Sequence, residues 1–327
     1  MINMNTKAMR KSYVIIDVGG SFLKSAVLDE DGFVHVPSYF TVKSHAESDM
    51  KEQIIQAFEE SIAHGLTFIG DNELETGGIG IAIPGPFNYR DGISLMTHKF
   101  QSLYNLNLKD MIAEATGIHP DLPVTFVHDV NAVLMGELWT GNAKDYANAA
   151  VACIGTGLGF AHLQNRIVQC NEYGSPLISI FKTPCRQSIL EDYVSKRGIL
   201  KIYGEMAGNE IANTMKVIDI AKLADEGDGS ALATFREAGS ILSEVLADIL
   251  TEKNIECLLF AGQISRSFHH FETAIREGLK DVGSLKRIGP VSNIDYAAFY
   301  GVLWKIRYFN NINFNYSPFK SSKNHDV

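Results

Sequence analysis

The stretch that decides the fold is Phe126-Val127-His128-Asp129-Val130-Asn131-Ala132-Val133-Leu134-Met135-Gly136-Glu137. Apolar and β-branched residues at 123–127 predict a short buried strand, and a helical pattern begins at Asn131. The carboxylate of Asp129 therefore falls at a strand-to-helix junction. In open α/β sheets the carboxyl ends of the strands border the ligand crevice, and a helix start offers unpaired N–H groups. Taken alone, the stretch favours a simple helix cap for Asp129, and the glycine turns on either side favour a functional role.

The composition is typical of an ordinary globular protein. It has 327 residues, 46% of them hydrophobic and 20% charged, which predicts a large core and two domains. The net charge of −9 and the lack of a Lys/Arg block argue against nucleic acid and anionic membranes as partners. No signal peptide and no apolar run of about 18 residues is evident, so we expect a cytoplasmic protein. The four cysteines are widely spaced without a CxxC pair, which predicts reduced thiols.

A glycine turn lies near the start of the chain. An apolar strand from Tyr13 ends at Asp17-Val18-Gly19-Gly20-Ser21, and a second strand resumes at Phe22. Because glycine has no Cβ, the backbone N–H groups of such a turn can approach a phosphate closely. Alone, the pattern is equally typical of an ordinary hairpin.

The same design recurs in the middle of the chain. A buried strand at 149–154 runs into Gly155-Thr156-Gly157-Leu158-Gly159 and then into another strand. The repetition indicates an internal duplication of one supersecondary unit, and two facing turns of this kind would hold a polyphosphate. A third turn, Ala261-Gly262-Gln263-Ile264-Ser265, suits a base or a ribose, although an ordinary strand–helix link fits it as well.

Two further segments are candidates for binding a small molecule. The strand at 77–83 ends in Pro84-Gly85-Pro86, a rigid turn at the same predicted sheet edge as Asp17. The loop at 92–117 then carries His98 and Lys99 among polar and aromatic residues. Loops over a sheet edge often carry ligand contacts.

Together these motifs resemble the ROK family of sugar kinases and regulators, and the resemblance runs in order from Tyr13 to Trp304. The motifs that carry it are Asp17-Val18-Gly19-Gly20-Ser21 with Lys24, Ile83-Pro84-Gly85-Pro86, His128-Asp129-Val130-Asn131-Ala132 with Gly136-Glu137, Gly155-Thr156-Gly157-Leu158-Gly159, Leu190-Glu191-Asp192-Tyr193-Val194-Ser195, Ala224-Asp225-Glu226-Gly227-Asp228 and Phe260-Ala261-Gly262-Gln263-Ile264-Ser265.

The resemblance implies an α/β fold of the two-lobed actin-like ATPase (ribonuclease H-like) type, with the nucleotide between the lobes. Residues 1–122 and 302–327 would form the N-terminal lobe, and residues 123–301 the C-terminal lobe. Asp129 would be the general base of an ATP-dependent sugar kinase, and Asp17 would lie near the Mg²⁺ that accompanies ATP. The chemistry agrees, because phosphoryl transfer needs positioning, charge neutralisation and a carboxylate to accept a proton. Family members are commonly dimers, so we expect a homodimer.

The resemblance also assigns the binding residues. Residues expected to bind ATP are Asp17, Gly19, Gly20, Ser21, Lys24, Gly155, Thr156, Gly157, Gly159, Gly262 and Gln263. Residues expected to bind the sugar are Pro84, Gly85, His98, Lys99, His128, Asn131 and Glu172.

The chain departs from the family pattern at several positions. The three cysteine positions of the family's structural zinc site are Lys182, Pro184 and Ile189, so we expect no structural zinc. His128 replaces a sugar-contacting Asn, and Lys99 lies near the position of another. The family's Ala-Gly-Glu is also missing, with only Glu172-Tyr173-Gly174-Ser175 nearby. The ATP-binding motifs are retained, while the identity of the sugar stays open.

The changed positions bear on the substrate. An ammonium only donates and carries charge, so Lys99 predicts a sugar with an anionic or strong acceptor group rather than plain glucose. Equally, Lys99 could face solvent or pair with Asp91. His128 could donate to the same group or orient Asp129.

Three functions fit the sequence: a sugar kinase, a sugar-responsive repressor and a non-catalytic sensor. Family repressors carry a DNA-binding domain before the first glycine turn, whereas only twelve residues precede Tyr13 here, so we expect no repressor. The presence of Asp17, Asp129 and both glycine turns favours the kinase over the sensor.

Overall fold

The computed structural model describes residues 10–208 and 214–309, which form two five-stranded sheets surrounded by helices. The strands are β1 (Lys11–Val18), β2 (Phe22–Asp29), β3 (Val34–Lys43), β4 (Glu75–Ile83), β5 (Phe87–Asn88), β6 (Ile93–Ser94), β7 (Val124–His128), β8 (Ala149–Ile154), β9 (Leu158–Gln164), β10 (Ile167–Val168), β11 (Pro184–Cys185), β12 (Ser188–Ile189), β13 (Cys257–Ala261) and β14 (Arg287–Pro290). The α-helices are α1 (Lys51–Asp71), α2 (Leu108–Thr116), α3 (Asp129–Trp139), α4 (Glu191–Val194), α5 (Lys196–Ala207), α6 (Val217–Asp225), α7 (Gly229–Glu252), α8 (Phe268–Gly278) and α9 (Ala297–Phe309), with 3₁₀ helices at Gln101–Leu103 and Gln263–Ser267.

The first sheet has the strand order β3-β2-β1-β4-β7. Strands β1, β2 and β3 form an antiparallel meander, and β4 and β7 run parallel to β1. At the β2–β3 turn, the Asp29 carboxylate accepts the N–H groups of Asp31 and Phe33, and Gly32 adopts a positive φ of 88°. This hairpin is therefore closed by a side chain as well as by glycine.

The second sheet repeats this design with the order β10-β9-β8-β13-β14. Strands β8, β9 and β10 form an antiparallel meander, and β13 and β14 run parallel to β8. Each meander has a glycine turn between its first two strands, at 19–21 and at 155–157. The internal duplication predicted from the sequence is confirmed by this shared topology.

Helix α3, which begins at Asp129, packs against both sheets. Ala132 and Met135 belong to a core cluster with residues of the first sheet and of α9. Val130 and Leu134 belong to a second cluster, with residues of β8, β9 and β13. The start of α3 is therefore fixed where the two sheets meet.

Strand β7 shows that the first sheet continues past the predicted lobe boundary at residue 122. It pairs with β4, with Ile83 opposite His128, so residues 124–128 belong to the first sheet. The family resemblance had implied that these residues belong to the C-terminal lobe. Helix α9 begins at Ala297 and packs Val302 on the first sheet. The remaining limits of the two lobes stay predictions, and residues 1–9 and 310–327 lie outside the described residues.

Helices α4 and α5 are separated by Ser195, which is extended at ψ 179°. The next residue, Lys196, donates its N–H to Gly155 O, so a contact with the second glycine turn accompanies this break.

Helix α7 has 24 residues and buries an apolar stripe that includes Phe235 and Leu242. The Asp228 carboxylate caps its start by accepting the N–H of Ala231. Its stripe is interrupted by charged positions such as Glu237. Among the described helices, none is both long and apolar enough to cross a bilayer.

Candidate active site

The ends of three neighbouring strands bring the first group of predicted residues together. Parallel pairing places Asp17 opposite Ala82 and Ile83 opposite His128. Asp17, the Pro84 turn and Asp129 therefore leave the sheet at the same edge, as expected for strands that end together.

Asp129 presents its carboxylate at this edge. Its side chain is 41% exposed, and Oδ1 lies 2.8 Å from His128 Nδ1 and accepts the Val130 N–H at 2.7 Å. Desolvation by the surrounding protein raises the pKa of Asp129, but the adjacent His128, these hydrogen bonds and the Lys99 charge together hold that pKa below its ordinary value. The carboxylate is therefore ionised at neutral pH.

His128 bridges Asp129 and the Pro84 turn. Its Nδ1 also lies 3.3 Å from the Val130 N–H, but that N–H is closer to the Asp129 carboxylate. A proton on Nδ1 that is donated to Asp129 fits these distances best. The opposite nitrogen faces Gly85, where an added Cβ would lie 3.5 Å from Nε2. In this tautomer Nε2 is an acceptor that faces the substrate side.

Asp17 has the opposite electrostatic environment. Burial and the negative charge of Asp129 raise the pKa of Asp17 to about 6, and the positive charge of Lys24 opposes this shift. Lys24 lies directly across the β1–β2 pair from Asp17. The two carboxylates of the site thus differ: the surroundings of Asp129 favour its ionised form, whereas the surroundings of Asp17 disfavour it.

Lys99 lies beside the first glycine turn. An added Cβ on Gly20 would lie 3.5 Å from Lys99 Nζ, and the charge of Lys99 also acts on Asp129. Asp91, the alternative partner considered from the sequence, instead accepts a hydrogen bond from Asn88 at 2.7 Å. The neighbouring His98 is exposed. Lys99 is therefore positioned between the glycine turn and the carboxylate.

The first turn is tight. The Gly19 N–H donates to Phe22 O at 2.9 Å, and an added Cβ on Gly19 would lie only 3.0 Å from that oxygen. Ser21 is exposed, and its carbonyl accepts the Ser44 N–H. The turn is thus anchored on one side while its outer face is open.

The second turn is held by a carboxylate from a distant helix. Glu191 Oε2 accepts the Leu158 N–H at 2.9 Å, and an added Cβ on Gly157 would lie 2.8 Å from the same oxygen. Arg197 pairs with the other oxygen of Glu191 at 2.9 Å. Gly155, in contrast, has open space where its Cβ would be, and Thr156 is exposed. In this turn, Gly157 packs against the Glu191 carboxylate, whereas Gly155 faces open space.

The third turn lies against the second. Strand β13 pairs with β8, with Ala261 opposite Cys153. Gly262 has a φ of 84°, and an added Cβ would lie 2.4 Å from Ile154 O, so only glycine fits. Gln263 is exposed and accepts a hydrogen bond from Arg266, which lines an open cleft of about 600 Å³. Such a volume is typical of a small-molecule site.

The substrate side combines Tyr89, which the sequence did not identify, with the predicted residues Asn131 and Glu172. The Tyr89 hydroxyl donates to Ile83 O at 3.0 Å, and its ring lies 5.6 Å from that of His128. Asn131 is buried and donates to Gly174 O at 3.1 Å, while its own Oδ1 has no hydrogen-bond partner. Glu172 is exposed on this same loop. Tyr89 and Asn131 thus brace the loop at 171–174 beside His128.

The sequence model of the ROK family matches residues 13–291. The chain is a member of the ROK family. A glucokinase of Thermotoga maritima is 25% identical over 289 residues, covering 81% of this chain and 86% of the glucokinase. A xylose repressor of Bacillus spizizenii is 26% identical over 286 residues, covering 84% of this chain and 70% of the repressor.

Solved structures show the ROK fold for this chain. The structure of a ROK family glucokinase from Streptomyces griseus in complex with glucose and AMPPNP has a TM-score of 0.74 at 19% identity, covering 89% of this chain and 98% of the glucokinase. The predicted family and the predicted two-lobed actin-like ATPase fold are therefore confirmed.

The ROK cleft has the features that a polyphosphate ligand requires. Gly19 and Gly155 use their own N–H groups to close the two turns, on Phe22 O and Gly157 O. Gly155 has no protein atom within 4 Å of its missing Cβ, so a ligand can approach the backbone of the second turn closely. Lys24 and Lys99 supply positive charge on the side of the first sheet. The residues present fit ATP and its metal.

Glu191 and Tyr89 are the main contacts that sequence reasoning missed. Glu191 belongs to a motif used for the family resemblance, but its bond to Leu158 joins residues 33 positions apart. Tyr89 lies shortly after the Pro84-Gly85-Pro86 turn, and this position in the sequence could have identified it as a site residue. The four cysteines are free thiols, and none belongs to a metal-binding group among the described residues.

Proposed function

We propose that this protein is an ATP-dependent kinase that phosphorylates a hydroxyl of a sugar or sugar derivative. The observation that carries the proposal is the ionised Asp129 carboxylate at the sheet edge shared with Asp17, with Lys99 between it and the first glycine turn. Phosphoryl transfer depends on positioning and charge stabilisation, with a carboxylate to accept the proton of the attacking hydroxyl. Similarity to the Thermotoga maritima glucokinase supports the same reaction class.

Asp129 accepts the hydroxyl proton in this mechanism. Its lowered pKa keeps it ionised, and the Nδ1 proton of His128 holds one carboxylate oxygen in place. The other oxygen stays available to the substrate. His128 Nε2 accepts a hydrogen bond from a second substrate hydroxyl beside Gly85.

Lys99 provides positive charge where the phosphoryl group crosses from one substrate to the other. The sequence suggested that Lys99 contacts an acceptor group of the sugar. Its place beside Gly20 supports a different acceptor, the oxygens of the phosphoryl group itself. Plain sugars then stay candidate substrates, and an anionic sugar is no longer required to explain a lysine at this position.

Bound ATP and Mg²⁺ would supply the phosphoryl group and neutralise its charge, with Asp17 as the residue to hold the metal. The other residues proposed to hold the nucleotide are Gly19, Gly20, Ser21, Lys24, Gly155, Thr156, Gly157, Gly159, Gly262 and Gln263.

The first prediction tests Asp129. Asp129→Asn should retain ATP binding but lower kcat by roughly 10² to 10⁴, the usual contribution of a general base. ADP release is measured against a panel of sugars, first to identify the substrate and then to compare variants. Asp121→Asn, whose side chain is 92% exposed, is the control and should behave as the unmodified protein. A near-normal kcat for Asp129→Asn rules out this residue as the base.

A second candidate function is sugar sensing without turnover, favoured by the similarity to the Bacillus spizizenii xylose repressor over 84% of this chain. In that case a sugar of the panel raises the melting temperature but releases no ADP. Assembly as a homodimer stays a prediction that light scattering tests.

A further inference from the structure

Three potential metal ligands meet where helix α6 ends and helix α8 begins. Asp225 is the last residue of α6, and His269 and His270 lie in the first turn of α8. His269 Nε2 lies 3.0 Å and His270 Nε2 2.9 Å from the same oxygen, Asp225 Oδ1. One ligand atom from each residue lies within 4.8 Å of the others.

The convergence of the two imidazoles is unusual for adjacent helical residues. Neighbouring side chains on a helix point about 100° apart, because a turn contains 3.6 residues. Here the two ring centroids are only 3.9 Å apart, and both Nε2 atoms face one carboxylate. The arrangement presents three donors to one point in space.

His270 provides an independent sign that a ligand is needed. Its side chain is only 7% exposed and stacks on Phe235 at 5.4 Å. Although Nε2 lies close to Asp225, it is not aligned for a hydrogen bond, so this buried nitrogen has no hydrogen-bond partner. A buried polar atom without a partner is costly, and coordination to a metal ion would satisfy it.

We propose that Asp225, His269 and His270 bind one exchangeable zinc ion. Two imidazoles and one carboxylate form a borderline donor set that suits Zn²⁺, with a fourth position for water. Zinc–ligand bonds of about 2.0–2.2 Å place tetrahedral ligand atoms roughly 3.3–3.6 Å apart, so small side-chain rotations complete the site. Asp225 and His269 are 57% and 60% exposed, which gives the ion access from solvent.

This site differs from the cysteine site that the sequence excludes. Its ligands are 44 positions apart, so no local spacing identifies them. Bound zinc would join α6 to α8, and His269 also lines the cleft near the third glycine turn. The ion would therefore fix one wall of the region proposed to hold the adenosine.

Calorimetric titration of the chelator-treated full chain with ZnCl₂ tests the proposal. We expect one zinc per chain, a higher melting temperature on binding, and affinity reduced at least 10-fold in both Asp225→Asn and His269→Gln, since even supporting residues of a metal site contribute 10- to 100-fold. Both changes are at exposed positions and should leave the fold intact.

The control is His119→Gln. His119 forms an exposed pair with Asp121 at 3.5 Å. It does not belong to the group of three potential metal ligands found among the described residues, so its replacement should leave zinc affinity unchanged. Substitution with Co²⁺ reports the ligands directly. A thiolate-to-cobalt absorption band, zinc affinity left unchanged by Asp225→Asn or by His269→Gln, or no zinc uptake by the unmodified chain would each overturn the proposal. None of these readouts depends on kinase activity, so the two proposals fail separately.

Discussion

At the scale of single residues, the cleft combines one carboxylate that is easily ionised with one that is not. Asp129 receives hydrogen bonds and lies near positive charge, whereas Asp17 is desolvated and lies near the negative charge of Asp129. Lys99 and Lys24 provide the positive charges nearby. Both the chemistry and the stability of the site should therefore depend on which of these groups is changed.

Lys99→Met separates the two roles considered for Lys99. If the ammonium stabilises the transferred phosphoryl group, kcat falls by about 10² to 10³ while KM for the sugar changes little. The measurement is steady-state kinetics with the substrate identified from the panel. Lys51→Met, at an exposed position of α1, removes an ammonium elsewhere and should alter neither constant greatly. An increase confined to the sugar KM would instead support the contact with the sugar predicted from the sequence.

Asp17→Asn should abolish kinase activity yet stabilise the ligand-free protein above pH 6. The pKa of Asp17 is raised from 3.8 to about 6, so the folded state binds this proton more tightly than the unfolded state. Stability of the unmodified protein therefore decreases as pH rises from about 4 to about 6, and the loss is complete above that range.

We expect the variant to gain on the order of 1–3 kcal/mol in unfolding free energy at pH 8, and almost nothing at pH 4. Urea unfolding without nucleotide or metal measures the difference at each pH. Asp248→Asn, at an exposed position of α7, serves as the control. A gain that does not vary with pH would contradict the assigned cause.

At the scale of elements, the second and third glycine turns are adjacent but depend on glycine for different reasons. Gly155 has no protein atom within 4 Å of its missing Cβ and shows no positive φ. Gly262 has a positive φ and lies against Ile154 O. The first position is open to a ligand, whereas the second is required by the fold.

Gly155→Ala should leave the melting temperature unchanged but raise KM for ATP about 10-fold or more, because the new methyl group enters the phosphate space. Gly262→Ala should destabilise the protein by about 1–3 kcal/mol or more through backbone strain and overlap. Thermal unfolding and ATP kinetics are measured on both variants. Gly70→Ala, in open space on α1, is the control. Unchanged ATP affinity in Gly155→Ala would remove the second turn from the nucleotide site.

At the scale of the whole molecule, the sequence predicted the features that are local. Glycine turns and Asp129 follow strand ends, and period-2 and period-3.6 patterns reveal those ends without tertiary information. The pairing of strand β7 with β4 could not be predicted, because a buried strand has the same apolar pattern in either sheet. Glu191 and the Asp225 cluster could not be found, because their contacts join residues 33 and 44 positions apart.

The last prediction concerns Glu137, which connects α3 to the second half of the molecule. This carboxylate is fully buried and accepts the N–H of Asn142 at 2.7 Å and both the N–H and the hydroxyl of Ser292, at 2.9 and 2.7 Å. Glu137→Ala removes three hydrogen bonds to a charged acceptor, each worth about 1.5–3 kcal/mol.

We therefore expect Glu137→Ala to lower the unfolding free energy by about 3 kcal/mol or more, measured by urea denaturation. Glu59→Ala, on the exposed face of α1, should change it by less than about 0.5 kcal/mol. Because α3 begins at Asp129 and packs on both sheets, the Glu137 variant should also lose kcat at temperatures where it is still folded. Equal stability of the two variants would show that the Ser292 segment is held by other contacts, and that Glu137 does not join the two halves.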